Sequence, residues 1–334
     1  MRLGGVGIVR IVVLGGTGFV GGAVVADLEI QGHEVLVVHR GVREVEQVSV
    51  GPHLHAARSD LTRFRGTIRD FQPDAFVDVP AGTRSEAEAV VHAITDDIRF
   101  IVLSSMDVYR AYGSLLAGKV TDALPLNETA AVRTERYIHR GRGPEFEDYE
   151  KLDVEETYLT RGATVLRLPM IYGEHDSQRR EEFILRRCRA RRPRIPTGPG
   201  TLLWSRGYVR DIAAGVRLAI ENERAVAEII NLCEATTSSI RLWADWIVEA
   251  AGAQSELVEV PEDVLPNDLR ITRSISQHLL FDSSKAREML GWSETDPLVA
   301  LERSVGWHLA NPPQERDKDF SADDRALGIL SSGR

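Results

Sequence analysis

The chain has 334 residues, with 41 lysines and arginines against 50 aspartates and glutamates, for a formal net charge of -9. That length accommodates one large domain plus a smaller lobe, and the acidic balance argues against a general nucleic-acid-binding surface. The two cysteines, Cys188 and Cys233, stand far apart in no ligand pattern, which argues against a disulfide framework or a zinc site and suits a reducing cytoplasm. The apolar start is interrupted by Arg10 and several glycines, so neither a signal peptide nor a membrane span is expected.

In chain order, Ile11-Val12-Val13-Leu14 follows Arg10 as a short β-branched run, the pattern of a buried parallel strand. The turn Gly15-Gly16-Thr17-Gly18-Phe19-Val20-Gly21 comes next, and Ala23–Leu28 reads as a helix. This arrangement is suited to a dinucleotide pyrophosphate. Gly15 allows a tight turn, Gly18 lets backbone N–H groups approach a phosphate, and Gly21 lets the helix pack close to the strand. The helix N-terminus then offers free N–H groups and a positive dipole end to the anion.

Further strand-like runs follow at Glu34–His39, Ala75–Val79, Phe100–Ser104 and Thr164–Leu168, with helical stretches between them. Such alternation predicts an α/β fold, a Rossmann-type doubly wound parallel sheet, with ligands beyond the carboxyl ends of the strands. Residues 8–172 are expected to form the dinucleotide-binding domain, joined by later segments that return to it. Residues 173–310 are expected to form mostly a smaller C-terminal substrate-binding lobe, with a helix at Leu242–Ala251. The arginines at 179, 180, 186, 187, 189, 191 and 192 read as a solvated helix face, and 311–334 as a flexible tail.

The second strand ends at His39-Arg40, where an NAD site usually carries a carboxylate for the ribose hydroxyl. Arg40, with Arg43, is placed to pair with a 2′-phosphate, so NADP(H) is expected ahead of NAD(H); the plainer alternative is that Arg40 faces solvent and stacks on adenine. Asp60, next to Leu61 after a third strand, is positioned to accept from the adenine amino group or to cap a helix. His53 and His55 have no third ligand at a fitting spacing, so no metal site is expected.

The glycine turn, Ser104-Ser105-Met106-Asp107-Val108-Tyr109, Leu166-Arg167-Leu168-Pro169 with Ile171-Tyr172-Gly173, Tyr208-Val209-Arg210-Asp211, and Ser284-Lys285-Ala286 with Leu290-Gly291-Trp292 occur in that order. Together they resemble the extended short-chain dehydrogenase/reductases, in the NAD(P)-dependent epimerase/dehydratase branch, over nearly the whole chain. The resemblance implies hydride transfer at a carbinol or ketone carbon of a sugar, sugar nucleotide or related small polar molecule, and a homodimer. It places Pro169 beside the cofactor and Tyr109 toward the substrate. Ser105 matches the residue that hydrogen-bonds the reacting oxygen.

The family also uses a tyrosine for proton transfer and a lysine four residues later that holds the nicotinamide ribose. Here Lys151 has Glu147 four residues before it, while Tyr149 stands only two before it. On one continuous helix those two side chains would point to nearly opposite faces. Three alternatives follow. Tyr149 reaches the site from a turn preceding a late-starting helix; or Glu147 is a carboxylate base held by Lys151 and works with Asp107 or Ser105; or the couple is lost and the protein only binds dinucleotide, as a sensor or scaffold. Asp107 matches an acidic residue of the family's sugar-nucleotide dehydratases, with a loop cap as its plainer role. Relatives acting on sugar nucleotides often follow a Gly-x-Gly turn with a diphosphate-clamping arginine. At Gly198-Pro199-Gly200 that position is Trp204, which can stack on a ring but cannot pair with phosphate. Arg206 or Arg273 is left to compensate.

Overall fold

A computed structural model of the chain describes residues 7–41, 49–79, 81–95, 97–314 and 318–332. Every run read above as a strand is one. The chain proceeds through β1 (Arg10–Leu14), α1 (Phe19–Ile30), β2 (Glu34–His39), β3 (His53–His55), α2 (Arg65–Asp70), β4 (Ala75–Asp78), α3 (Arg84–Ala93), β5 (Arg99–Ser105), α4 (Arg110–Leu116), α5 (Lys151–Leu159) and β6 (Thr164–Leu168). It then leaves the sheet through β7 (Met170–Tyr172), α6 (Glu182–Arg189), β8 (Arg194–Thr197) and β9 (Arg206–Tyr208), and returns by α7 (Val209–Glu221) and β10 (Ile229–Asn231). The remaining elements are α8 (Ile240–Ala250), β11 (Glu256–Glu259), α9 (Ser284–Leu290), α10 (Pro297–Ala310) and α11 (Ser321–Ser332).

The seven-stranded sheet runs β10-β6-β5-β4-β1-β2-β3, and every pairing is parallel. Side chains alternate across it. Ile11, Val13, Val35, Val37, Ile101 and Leu103 enter one core, with Val24 and Leu28 of α1 and Ile212 and Val216 of α7. Val12, Leu14, Leu36, Val38, Phe76 and Phe100 enter a second core, with Val90 of α3 and Val154 and Tyr158 of α5. Both faces are covered, so both must be apolar, which is why these strands read as unbroken hydrophobic runs. Each buried branched side chain contributes about 1.5–3 kcal/mol of transfer free energy.

The strand order reverses between β1 and β4, because β1 is flanked by β2 on one side and β4 on the other. In such sheets the crevice beyond the carboxyl ends at that point receives the ligand. The turns after β1, β2, β4, β5 and β6 all open there.

Two expectations about the second half are corrected. The arginine run is not simply a solvated face: Arg187 is fully buried, donating to both oxygens of buried Asp323 at 2.7 Å and to Asp268. A guanidinium in that position is tolerated because its charge and its N–H groups are matched. The same ion pair ties down the segment expected to be a flexible tail. Residues 321–332 form α11, which carries Asp323 and buries Ala326 and Leu327.

Candidate active site

The glycine turn has the geometry its residues imply. Gly15 adopts φ +83° and donates to Val38 O at 2.8 Å, which brings the turn over β2. A Cβ on Gly21 would lie 2.1 Å from Gly15 O, so the helix touches the turn backbone to backbone. A Cβ on Gly18 would meet nothing closer than 3.6 Å. No contact inside the protein therefore requires glycine at 18, and an anion laid against the backbone supplies a reason. Gly18 caps α1 without a side-chain hydrogen bond, and no carboxylate occupies the first turn. The N–H groups beside Thr17, Phe19 and Val20 are thus left to a phosphate, and the residues fit a dinucleotide.

At the end of β2, Arg40 is exposed, but His39 is buried and engaged. Its Nε2 lies 3.0 Å from His53 Nδ1, its Nδ1 accepts the Gly41 N–H, and the His55 ring stands 4.6 Å away. Burial, then the nearby His55 and His53, lowers the His39 pKa. Arg43 lies outside the described residues. Asp60 belongs to a 3-10 turn over residues 58–64 whose cap is Ala57, so it is not the cap residue. Leu61 next to it is wholly buried in the second core, so only its backbone remains for a cofactor.

Ser105 ends β5, and its Oγ accepts the Asp107 N–H at 3.1 Å. The segment before α5 resolves the tyrosine–lysine spacing. Glu150 caps α5, accepting the Leu152 N–H at 3.0 Å, and its buried carboxylate also takes two N–H groups of Arg133 and the Tyr137 N–H. The Glu150 N–H donates to Gly82 O. These bonds fix the helix start at Lys151 and leave Tyr149 in the preceding turn. From there the Tyr149 hydroxyl donates to Asp107 Oδ2 at 3.2 Å, in the cleft that Ser105 also lines. Lys151 is buried, and its Nζ donates to Ala81 O at 2.5 Å and Leu103 O at 3.0 Å and lies 6.0 Å from the Tyr149 ring centre. Burial lowers its pKa, opposed by Asp107 and Asp78. Burial and then the Asp107 charge push the Tyr149 phenol well above its ordinary value, which keeps it protonated.

Ser105, Asp107, Tyr149 and Pro169 line one cleft of about 530 Å³, together with Trp204, Trp243, Phe281, Arg142 and Arg180. Five other expectations are corrected. Glu147 is exposed and turned away, its Oε1 accepting the Gly141 N–H, so it is not a base beside Lys151. Tyr109 is completely buried and donates to Asn231 at 2.7 Å, behind the cleft rather than in it. Arg206 is 2 % exposed; it bonds Ser238 and stacks 4.4 Å from the ring of Trp243, which lines the cleft where Arg206 does not. Arg273 is exposed and bonds its own turn at Arg270 O. Asp107 is no loop cap, because its carboxylate faces Tyr149 and His139.

Sequence reasoning missed several residues. His139 Nε2 lies 3.3 Å from Asp107 Oδ2. Arg133 and Glu150 build the turn, and Asp78 at the end of β4 is gripped by Arg58 and Tyr158. None stands at a spacing that announces its partner. An acid at a strand's carboxyl end was the one available signal, and it applied to Asp78.

A parallel sheet with a glycine turn and a serine, a tyrosine and a lysine at its carboxyl edge is the arrangement that the resemblance to the extended short-chain dehydrogenase/reductases implies. Residues 11–111 match the family profile described as the NAD dependent epimerase/dehydratase family. That match runs from β1 into α4, the first part of the dinucleotide-binding half of the chain. The chain is 25 % identical over 336 aligned positions to the chloroplast stem-loop binding protein of 41 kDa b from Arabidopsis thaliana, covering 95 % of this chain and 84 % of that one. It is 24 % identical to 2′-dehydrokanamycin reductase from Streptomyces kanamyceticus, covering 97 % and 86 %. Among solved structures, UDP-glucose 4-epimerase from Thermotoga maritima superposes with a TM-score of 0.68 at 18 % identity, covering 91 % of this chain and 100 % of the other. Among the described residues, no helix is long and apolar enough to cross a membrane, and no group of three metal-ligating side chains is assembled.

Proposed function

We propose that the protein is an NADP(H)-dependent reductase of a ketone on a ring-bearing small polar substrate, working as a homodimer in the cytoplasm. The observation that carries this reading is that Tyr149, freed from α5 by the Glu150 cap, lines the same cleft as Ser105. The two hydroxyls then serve one substrate oxygen. Ser105 donates a hydrogen bond that polarises the carbonyl, and Tyr149, held protonated, delivers the proton. Lys151 has three N–H groups and donates two to main-chain carbonyls, leaving one for the nicotinamide ribose. The turn from Gly15 to Gly21 holds the pyrophosphate, and exposed Arg40 pairs with the 2′-phosphate. When bound, the nicotinamide supplies or accepts a hydride at C4.

Trp204 and Trp243 favour a sugar-like ring over a nucleotide diphosphate, because stacking replaces an arginine clamp. A relative named for reducing a dehydrokanamycin agrees with that chemistry. The net charge of -9 weighs against carrying over the stem-loop binding of the other.

Any dinucleotide released on denaturation is identified by mass. The emptied protein is then titrated with NADH and NADPH, and assayed with 2′-dehydrokanamycin, simple cyclic ketones and UDP-glucose. NADPH-dependent ketone reduction is expected. Stoichiometric NAD with UDP-glucose epimerisation would replace this reading by a recycled-cofactor epimerase, and binding without turnover by a sensor. Light scattering checks the dimer.

A further inference from the structure

Beside Tyr149, along the wall of the same cleft, lies a short chain of polar groups from three separate segments. Asp107 Oδ2 accepts from the Tyr149 hydroxyl at 3.2 Å and lies 3.3 Å from His139 Nε2. Asp107 and His139 are both more than nine-tenths buried. The His139 ring is held edge-on to Tyr149 at 5.4 Å and packed near Tyr112 and Phe146. Asp107 Oδ1 has no hydrogen-bond partner and lies 3.8 Å from Arg133. A buried carboxylate left half-satisfied beside an imidazole and a phenol is costly, and calls for a reason.

The neighbouring charged groups are all committed elsewhere. Arg133 is spent on Glu150. Glu150 is saturated by Arg133 and two backbone N–H groups. Lys151 on α5 donates to two carbonyls. The Tyr112 phenol on α4 is itself pushed up by burial and then by the Asp107 charge. Of the groups around Tyr149, the Asp107–His139 pair is the one that touches its hydroxyl and sets an imidazole, a side chain suited to proton transfer, beside it.

We propose that Asp107 and His139 form a proton relay that reloads Tyr149 along the wall of the cleft. This rests on the reading of Tyr149 as the proton donor. In reduction, the Tyr149 O–H bond breaks as a new O–H bond forms on the substrate oxygen. The phenolate oxygen then takes a proton through Asp107 Oδ2 as the His139 Nε2–H bond breaks, and neutral His139 recovers a proton from water. One solvent proton is consumed per turnover, and the dinucleotide of the proposed function is the sole reductant. Asp107 and His139 act through Tyr149 and are positioning residues.

Two measurements test the relay. The first needs no substrate. Tyr149 ionisation in the dinucleotide-loaded protein is followed by ultraviolet difference spectroscopy against Tyr149→Phe. Asp107→Asn removes a neighbouring negative charge and is expected to lower that ionisation by about one pH unit or more; an unchanged titration overturns the proposal. The second uses whichever ketone the assay above turns over. His139→Ala is expected to slow kcat about a hundredfold with KM and NADPH binding retained, and added imidazole is expected to restore it. Full activity without imidazole, or a loss that imidazole leaves untouched, overturns the proposal. If Asp107→Asn fails to fold, the imidazole rescue decides. If no compound is turned over, the proposed function fails while the phenol titration still decides whether Asp107 controls Tyr149.

Discussion

The dinucleotide cradle and the substrate cleft are built on opposite principles. The cradle is made from seven consecutive residues, Gly15 to Gly21, and works mostly through backbone groups. The cleft is made from side chains on β5, on the turn before α5, on the loop carrying His139 and on the lobe carrying Trp204 and Trp243. A contiguous backbone device is written locally and survives sequence divergence as a motif. A dispersed side-chain device depends on where each segment is anchored, and here Arg133 and Glu150 do the anchoring.

That contrast can be broken at its strongest point. Tyr149→Phe is expected to lower turnover about 10²- to 10⁴-fold while leaving the melting temperature and dinucleotide affinity near wild type; comparable turnover by the variant would remove the cleft's central residue. Glu150→Ala leaves Arg133 buried without its partner. A loss of about 3–5 kcal/mol is expected in denaturant unfolding, because an uncompensated buried charge is costly. A small loss would mean that the turn is held by something other than the Arg133–Glu150 pair.

The cradle offers a paired test within one motif. Gly21→Ala forces a Cβ to 2.1 Å from Gly15 O, so destabilisation of about 1–3 kcal/mol is expected along with lost binding. Gly18→Ala meets no protein atom within 3.5 Å. Its stability should be unchanged within about 0.5 kcal/mol, while dinucleotide affinity falls about tenfold, or about 1.4 kcal/mol. Equal effects at both positions would mean that the turn is built for packing alone. The smallest effect is expected at the rim, where Arg40→Ala should weaken NADPH about tenfold and leave NADH nearly unchanged. Equal weakening of both in calorimetric titration would assign Arg40 to adenine stacking.

The sequence by itself determined the sheet, its parallel sense and the phosphate cradle. Strands buried on both faces must be apolar throughout, and a tight turn with close phosphate approach needs glycine at set positions. It also exposed the misfit between Tyr149 and Lys151, because helical periodicity alone says that residues two apart cannot share a face. Only the tertiary structure decided how that misfit is resolved. The start of α5 is set by Arg133, which binds the Glu150 cap across 17 residues of chain, and no local propensity records such a contact. The same holds for Arg187. A run of arginines looks solvated until Asp268 and Asp323, 81 and 136 residues away, fold over it. Long-range ion pairs carry no sequence period, so their partners become visible only once the chain has brought them together.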